Sequence, residues 1–149
     1  MTSRQIRLGP VQLKVPQDWA DITDELEGDD KPYTVADPQE GVGALQLSTG
    51  LFQGGVVPHP SESDLRAMVL RFGEERGLGD ALDETRFTKN SLMGAGMSFH
   101  EGEDLIRVWC VSDGKNFALV TYTCAWADRE REAALCEEIV ESLQFQSPS

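Results

Sequence analysis

The sequence predicts an α+β domain: a mostly antiparallel β-sheet of about six or seven strands, flanked by helices in a three-layer α/β/α sandwich. Three observations carry this expectation. The segment 104–145 runs strand, turn, strand, helix and short terminal strand. Alternating or β-branched runs joined by short polar links recur through the rest of the chain. Two stretches, beginning near Ser61 and Asp128, carry apolar residues at helical spacing. Helices set among strands that are mostly joined by short links favour an antiparallel sheet with helical cover.

Residues 6–15 are expected to form the first strand, interrupted near Gly9-Pro10, with Val11, Leu13 and Val15 on one face. Pro16 stops it, and Trp19 follows in a loop where a large ring can cover the end of the core. Residues 21–30 form a dense acidic loop containing Asp21, Asp24, Glu25, Glu27, Asp29 and Asp30. A second strand near 33–36 leads through Pro38 and Gly41 to a third at 44–48, where Leu45 and Leu47 alternate with Gln46 and Ser48. Residues 51–60 are too rich in Gly and Pro for a regular element. Ser61 is placed to cap a helix, because its side chain can accept from the free N–H groups of the first turn. Leu65, Met68, Val69 and Phe72 follow at i, i+3, i+4 and i+7 and make one apolar stripe. Gly77 and Gly79 end that helix.

Strands are then expected at 84–89, 96–101, 105–111 and 117–126, the last two joined at Asp113-Gly114, a dipeptide suited to a two-residue hairpin turn. On that register Ile106, Val108 and Cys110 share a face with Phe117 and Leu119. The opposite face carries Trp109, Val120, Tyr122 and Trp126. Since both faces are apolar, each needs a covering helix. Asp128 is expected to open the last helix, burying Leu135, Cys136, Ile139, Val140 and Leu143 and turning Glu132, Glu137, Glu138 and Glu141 to water. Residues 144–145 suit an edge strand or a plug, and 146–149 a free tail. The chain, 1–149, is expected to be a single domain.

Composition narrows the function. Hydrophobic residues make up 40% and charged residues 26% of 149, as in a folded soluble domain. The net charge of −13, from 26 acidic against 13 basic side chains, repels phosphate backbones and anionic membranes. The same field attracts and steers a basic protein partner, although acidity also serves solubility alone. The N-terminus lacks the apolar core of a signal peptide, and no apolar run is long enough to span a bilayer. Cys110, Cys124 and Cys136 show no C-x-x-C spacing, so neither a disulfide framework nor a zinc site is indicated. Each falls within an element, where a free thiol behaves as a small buried hydrophobe. The expected location is the cytoplasm.

No side-chain constellation for chemistry is visible. His59 lies between Pro58 and Pro60, and His100 ends a strand. Neither has a recognisable nucleophile or metal-ligand spacing nearby. The 21–30 loop lacks the D-x-D-x-D-G arrangement of a calcium loop, leaving a solvated run or a surface for a basic partner. Gly54-Gly55 and Gly94-Ala95-Gly96 lack the context of phosphate-cradling loops, so turn or bulge glycines are expected. Trp109, Tyr122 and Trp126 suit a sheet core or, in part, a pocket or docking surface, and Trp19 shares that ambiguity.

Four segments together resemble the PsbP-like superfamily, which includes the photosystem II extrinsic protein, the Ran-binding nuclear-import factor and bacterial DcrB-like domains. They are VQLKVPQDW at 11–19, GALQLS at 43–48, RVWCVSDG at 107–114 and EIVESLQF at 138–145. The resemblance implies an α/β/α sandwich in proteins that mostly act by binding other proteins, some bacterial relatives being effector chaperones in type VI secretion. It supplies no site motif that maps onto this chain. The resulting expectation is a non-enzymatic protein-binding module, immunity- or secretion-chaperone-like, without cofactor or metal and without affinity for nucleic acid or membrane. Its candidate partner-binding residues are Asp21, Asp24, Glu25, Glu27, Asp29 and Asp30 together with Trp19, Trp109, Tyr122 and Trp126. The alternative is a small-ligand module with a pocket between sheet and helix, lined by Trp109 and Tyr122.

Overall fold

Gly9, at φ +57°, and Pro10 turn the chain back on itself, so the expected interrupted strand at 6–15 is instead a hairpin. Its arms are β1 (Ser3–Leu8) and β2 (Val11–Pro16), with Leu8 opposite Val11 across the two-residue link. The computed structural model describes residues 3–25, 32–51, 54–55 and 58–146. Within them follow β3 (Ala20–Asp21), β4 (Tyr33–Ala36), β5 (Gly43–Gly50), helix α1 (Glu62–Glu75), β6 (Asp83–Lys89), β7 (Leu92–Glu101), β8 (Asp104–Ser112), β9 (Phe117–Ala125), helix α2 (Ala133–Glu141) and β10 (Gln144–Phe145). The strands form two antiparallel sheets, one of seven strands in the order β3-β4-β5-β9-β8-β7-β6 and one of three in the order β1-β2-β10.

Each face of the larger sheet has its own core. Leu65 and Val69 of α1 lie against Ala95, Met97, Phe99, Val108 and Cys110. The other face brings Leu45, Leu47, Trp109, Val120 and Tyr122 against Cys136, Ile139 and Val140 of α2 and against Val11, Leu13 and Val15 of β2. The second cover is therefore shared between a helix and the small sheet, because the alternation of β2 gives the hairpin an apolar face that must also be buried.

Ser112 pairs with Phe117, so the β8–β9 link has four residues, 113–116, and is not the expected two-residue turn. Asp113 holds it, its Oδ1 accepting from the N–H groups of Lys115 (3.0 Å) and Asn116 (2.8 Å). The register moves by an even number of residues, which preserves the alternation, and the two faces are composed as expected.

Ser61 caps α1: its Oγ accepts from the Asp64 N–H at 3.2 Å, and Asp64 Oδ2 accepts from the Ser61 N–H at 2.9 Å. Replacing Ser61 by alanine is expected to cost about 1 kcal/mol of stability, read as a lower urea midpoint with unchanged slope.

The last helix begins at Ala133, not at Asp128. After β9 the chain is held tightly, the Trp126 N–H donating to the Glu103 carbonyl at 2.7 Å, and 126–128 form a single 3-10 turn. Two carboxylates expected in water are turned inward. Glu132 accepts from the Tyr122 hydroxyl at 2.7 Å, and Glu137 meets Arg107 and Trp109, while Glu138 is exposed. Gly94 and Gly96 are also unlike the expectation, since they lie inside β7 with unbroken register on both sides. Side chains lie across them: a Cβ on Gly94 would sit 2.3 Å from the Phe87 ring, and one on Gly96 2.7 Å from the Trp109 indole. Gly54 and Gly55 do take positive φ, as turn glycines do. All three cysteines are free and buried, and burial pushes the Cys110 thiol up to about 11.

Candidate functional site

Strand register gathers several loops at one end of the seven-stranded sheet. Gly43 and Leu105 both lie opposite Cys124, and Glu101 lies opposite Asp104. The β4–β5 loop, the β7–β8 turn and the segment from β9 to α2 therefore share that end. Their carboxylates, from Asp37, Glu40, Glu101, Glu103, Asp104, Asp128, Glu130 and Glu132, outnumber the cations Arg129 and Arg131. Arg131 is itself 3.6 Å from Asp128. A cleft of about 640 Å³ opens here, lined by Asp18, Asp37, Glu40 and Glu132, by the cation Arg131, and by Pro16, Trp19, Val42 and Leu135.

Trp126 stands at the same end. Its ring is half-buried and stacks on His100, with centroids 3.7 Å apart and planes 13° from parallel. The Arg129 guanidinium lies 4.3 Å from the indole centroid, and Arg129 also donates to the Trp126 carbonyl at 2.9 Å. The end thus holds a half-buried indole, packed against His100 and Arg129, among loops in which carboxylates predominate.

The other three aromatic candidates are core residues. Trp19, Trp109 and Tyr122 are 2%, 0% and 1% exposed, so none presents its ring to a partner. The sheet face carrying Trp109 and Tyr122 is filled by α2 and β2, so neither ring lines a cleft there. A cleft of about 390 Å³ does lie between sheet and α2 beside Trp126, lined by Leu105, Arg107, Arg129, Ala133 and Glu137. Burial, and after it the bond to Glu132, holds the Tyr122 phenol well above its ordinary range. Asp21 is occupied locally, accepting from the Thr23 N–H at 2.9 Å and the Thr23 hydroxyl at 2.5 Å. Asp24 and Glu25 are exposed, but β3 runs away from the acidic end and carries them from Trp126. Glu27, Asp29 and Asp30 lie outside the described residues.

His59 and Asp113 line a smaller cleft of about 240 Å³. The Asp113 carboxylate accepts from Lys115 and from two nitrogens of Asn116, all within its own turn. It is therefore committed to the loop and does not orient the imidazole. Among the described residues no group of three or more His, Cys, Asp or Glu is arranged to hold a metal ion.

Arg107 is the residue that sequence reasoning missed. Its side chain is 8% exposed. It donates from Nε to Glu137 Oε1 (2.5 Å), from one terminal nitrogen to Asp83 Oδ1 (2.7 Å) and Ser98 Oγ (2.7 Å), and from the other to Thr85 Oγ1 (2.5 Å). The Trp109 indole N–H donates to the second oxygen of Glu137 at 3.2 Å. One guanidinium thereby ties β6, β7 and β8 to α2. A signal was present: Arg107 alternates onto the face of Trp109, and a buried cation there requires a carboxylate from the covering helix. With its donors engaged, the group acts as a fastener.

A seven-stranded antiparallel sheet, with α1 on one face and α2 beside a small sheet on the other, is the PsbP-like fold, an α/β/α sandwich. Among solved structures, the Ran-binding protein Mog1p of Saccharomyces cerevisiae superposes with a TM-score of 0.65 at 11% identity, over 97% of this chain and 96% of that one. A point mutant of Mog1 gives the same values. Cyanobacterial PsbP from Synechocystis gives 0.62 at 10% identity, over 96% and 92% of the two chains. Likeness at this identity is a likeness of fold. No protein-family profile and no curated protein matches the sequence.

Proposed function

We propose that this chain is a non-enzymatic protein-binding module that docks a basic surface of another polypeptide on the acidic end of its larger sheet. The observation that carries this reading is the half-buried Trp126 ring, stacked on His100 at the sheet end where three carboxylate-rich loops converge. Aromatic anchors of this kind are common hot spots, and a surrounding field of one sign steers an oppositely charged partner. The fold-level likeness to Mog1p, a Ran-binding protein, supports protein binding as the general activity. Asp24 and Glu25 would extend the attracting field. A cytoplasmic setting accords with three free thiols, and an immunity-like or secretion-chaperone-like role would use such a surface. No helix of the described residues is long and apolar enough to cross a membrane.

Affinity capture from the source cell tests this, using the wild-type chain, a Trp126→Ala variant and a Glu101→Lys/Glu103→Lys variant, at low and high salt. The wild type is expected to retain a specific basic protein that high salt releases. Trp126→Ala should weaken retention by about thirtyfold, the effect of losing a hot-spot side chain. A partner retained equally by both variants, or the absence of any specific partner, would overturn the proposal.

A further inference from the structure

The seven-stranded sheet ends unequally. One edge is β3, only two residues long, and the other is β6, seven residues with six of them exposed. Among the described residues β6 is hydrogen-bonded to β7 on one side and to no strand on the other. Its register with β7 is continuous from Asp83 opposite Ser98 to Lys89 opposite Leu92, so no bulge bends it away. It contains no proline. α1 lies over β7 and β8, which leaves the edge uncovered. Open edges of this kind invite strand addition, and charged side chains are the usual deterrent.

Here the charges are ordered in a way that changes their effect. Asp83 and Glu84 occupy the first half of the strand, and Arg86 and Lys89 the second. A strand that is acidic and then basic opposes like charges when it pairs in parallel, but complements itself when it pairs antiparallel. We propose that β6 is a self-association edge, joining two copies of this chain through antiparallel β6–β6 pairing about a two-fold axis normal to the sheet at Thr85. Thr85 then faces Thr85 of the second copy. Glu84 faces Arg86 of the second copy, and symmetry makes that ion pair twice. Shifting the axis to Arg86 would set that residue against itself, a like-charge pair.

The side chains stand ready for this arrangement. Glu84 and Arg86 project to the α1 side, where Arg66 meets Glu84 at 2.5 Å and Glu62 meets Arg86 at 3.6 Å. Glu84 and Arg86 remain 40% and 56% exposed, so each can take a second partner across the seam. A seam one strand wide is smaller than the standard interface of about 1,600 Å², so association is expected to be weak and concentration-dependent. The net charge of −13 on each copy opposes it at low ionic strength.

Sedimentation equilibrium at physiological ionic strength, from micromolar to millimolar protein, is the test. The wild-type mass is expected to rise from 16.4 kDa toward twice that value. Glu84→Arg alone and Arg86→Glu alone each set like charges across the seam and should remain monomeric. An equimolar mixture of these two chains restores both pairs and should associate again, a recovery that simple damage to either chain does not produce. A wild type monomeric at every concentration, or a mixture no more associated than its components, would overturn the proposal. Amide exchange in the wild type needs no substitution: protection along β6 should increase with concentration, and an unchanged pattern counts equally against the dimer.

Discussion

Replacing Arg107 by alanine is expected to lower the free energy of unfolding by about 3–5 kcal/mol, the usual cost of removing one partner from a buried ionic network. The loss arises from what the guanidinium leaves behind. Ser98 is buried, Glu137 is largely covered, and both face a void with a donor missing. Asp83 is exposed and can turn to water, so it adds little. Arg107→Lys should recover only a small part, because an ammonium is a point donor and cannot span four acceptors on three elements. Urea unfolding of both variants against the wild type checks this. A loss below about 1 kcal/mol for Arg107→Ala would mean that the surrounding acceptors find other partners or water.

Trp109→Ala should cost a similar amount, about 3–5 kcal/mol, by emptying the centre of the core between the sheet and α2. The indole is fully buried and lies across Gly96, where the missing side chain makes room for the ring. Its N–H also holds the second oxygen of Glu137. Because Arg107 and Trp109 share that carboxylate, their effects should not add: the double variant is expected to lose less than the sum of the two singles. Strict additivity in a double-mutant cycle would show that the Glu137 bridge contributes nothing to their coupling.

The strand pattern of this chain was legible because alternation is a local signal. Val11, Leu13 and Val15, the Leu45–Leu47 pair, and the two faces of β8 and β9 all followed from side chains pointing alternately up and down. Ser61 with Asp64 was a local helix start and behaved as one. Errors came where two local choices compete. Gly9-Pro10 could interrupt a strand or reverse it, and Asp113 could open a two-residue turn or, as it does, hold four residues with its own carboxylate. Asp128 resembled a cap, but the bond from Trp126 to Glu103 delays the helix to Ala133.

The candidate site was less legible, since it is a property of which loops meet. Trp126 could be named from the sequence but not separated from Trp19, Trp109 and Tyr122, because an aromatic on a strand carries the same local signature whether it is covered or left at an end. Burial settled that. The acidic stretch 21–30 is dense in one dimension, whereas the carboxylates at the Trp126 end of the sheet come from three distant segments and have no such density.

The amino-acid order alone determined the class of fold, the composition of each sheet face, and a strongly acidic chain with three unpaired thiols, since these depend on periodicity and on sums over residues. Tertiary structure alone decided that Glu132 and Glu137 turn inward, that Arg107 binds four acceptors, that Trp126, unlike Trp19, Trp109 and Tyr122, is left half-open, and that β6 is the long uncovered edge. Each of those outcomes depends on which surfaces face one another across the sheet, and contact between segments tens of residues apart leaves no periodic trace in the chain.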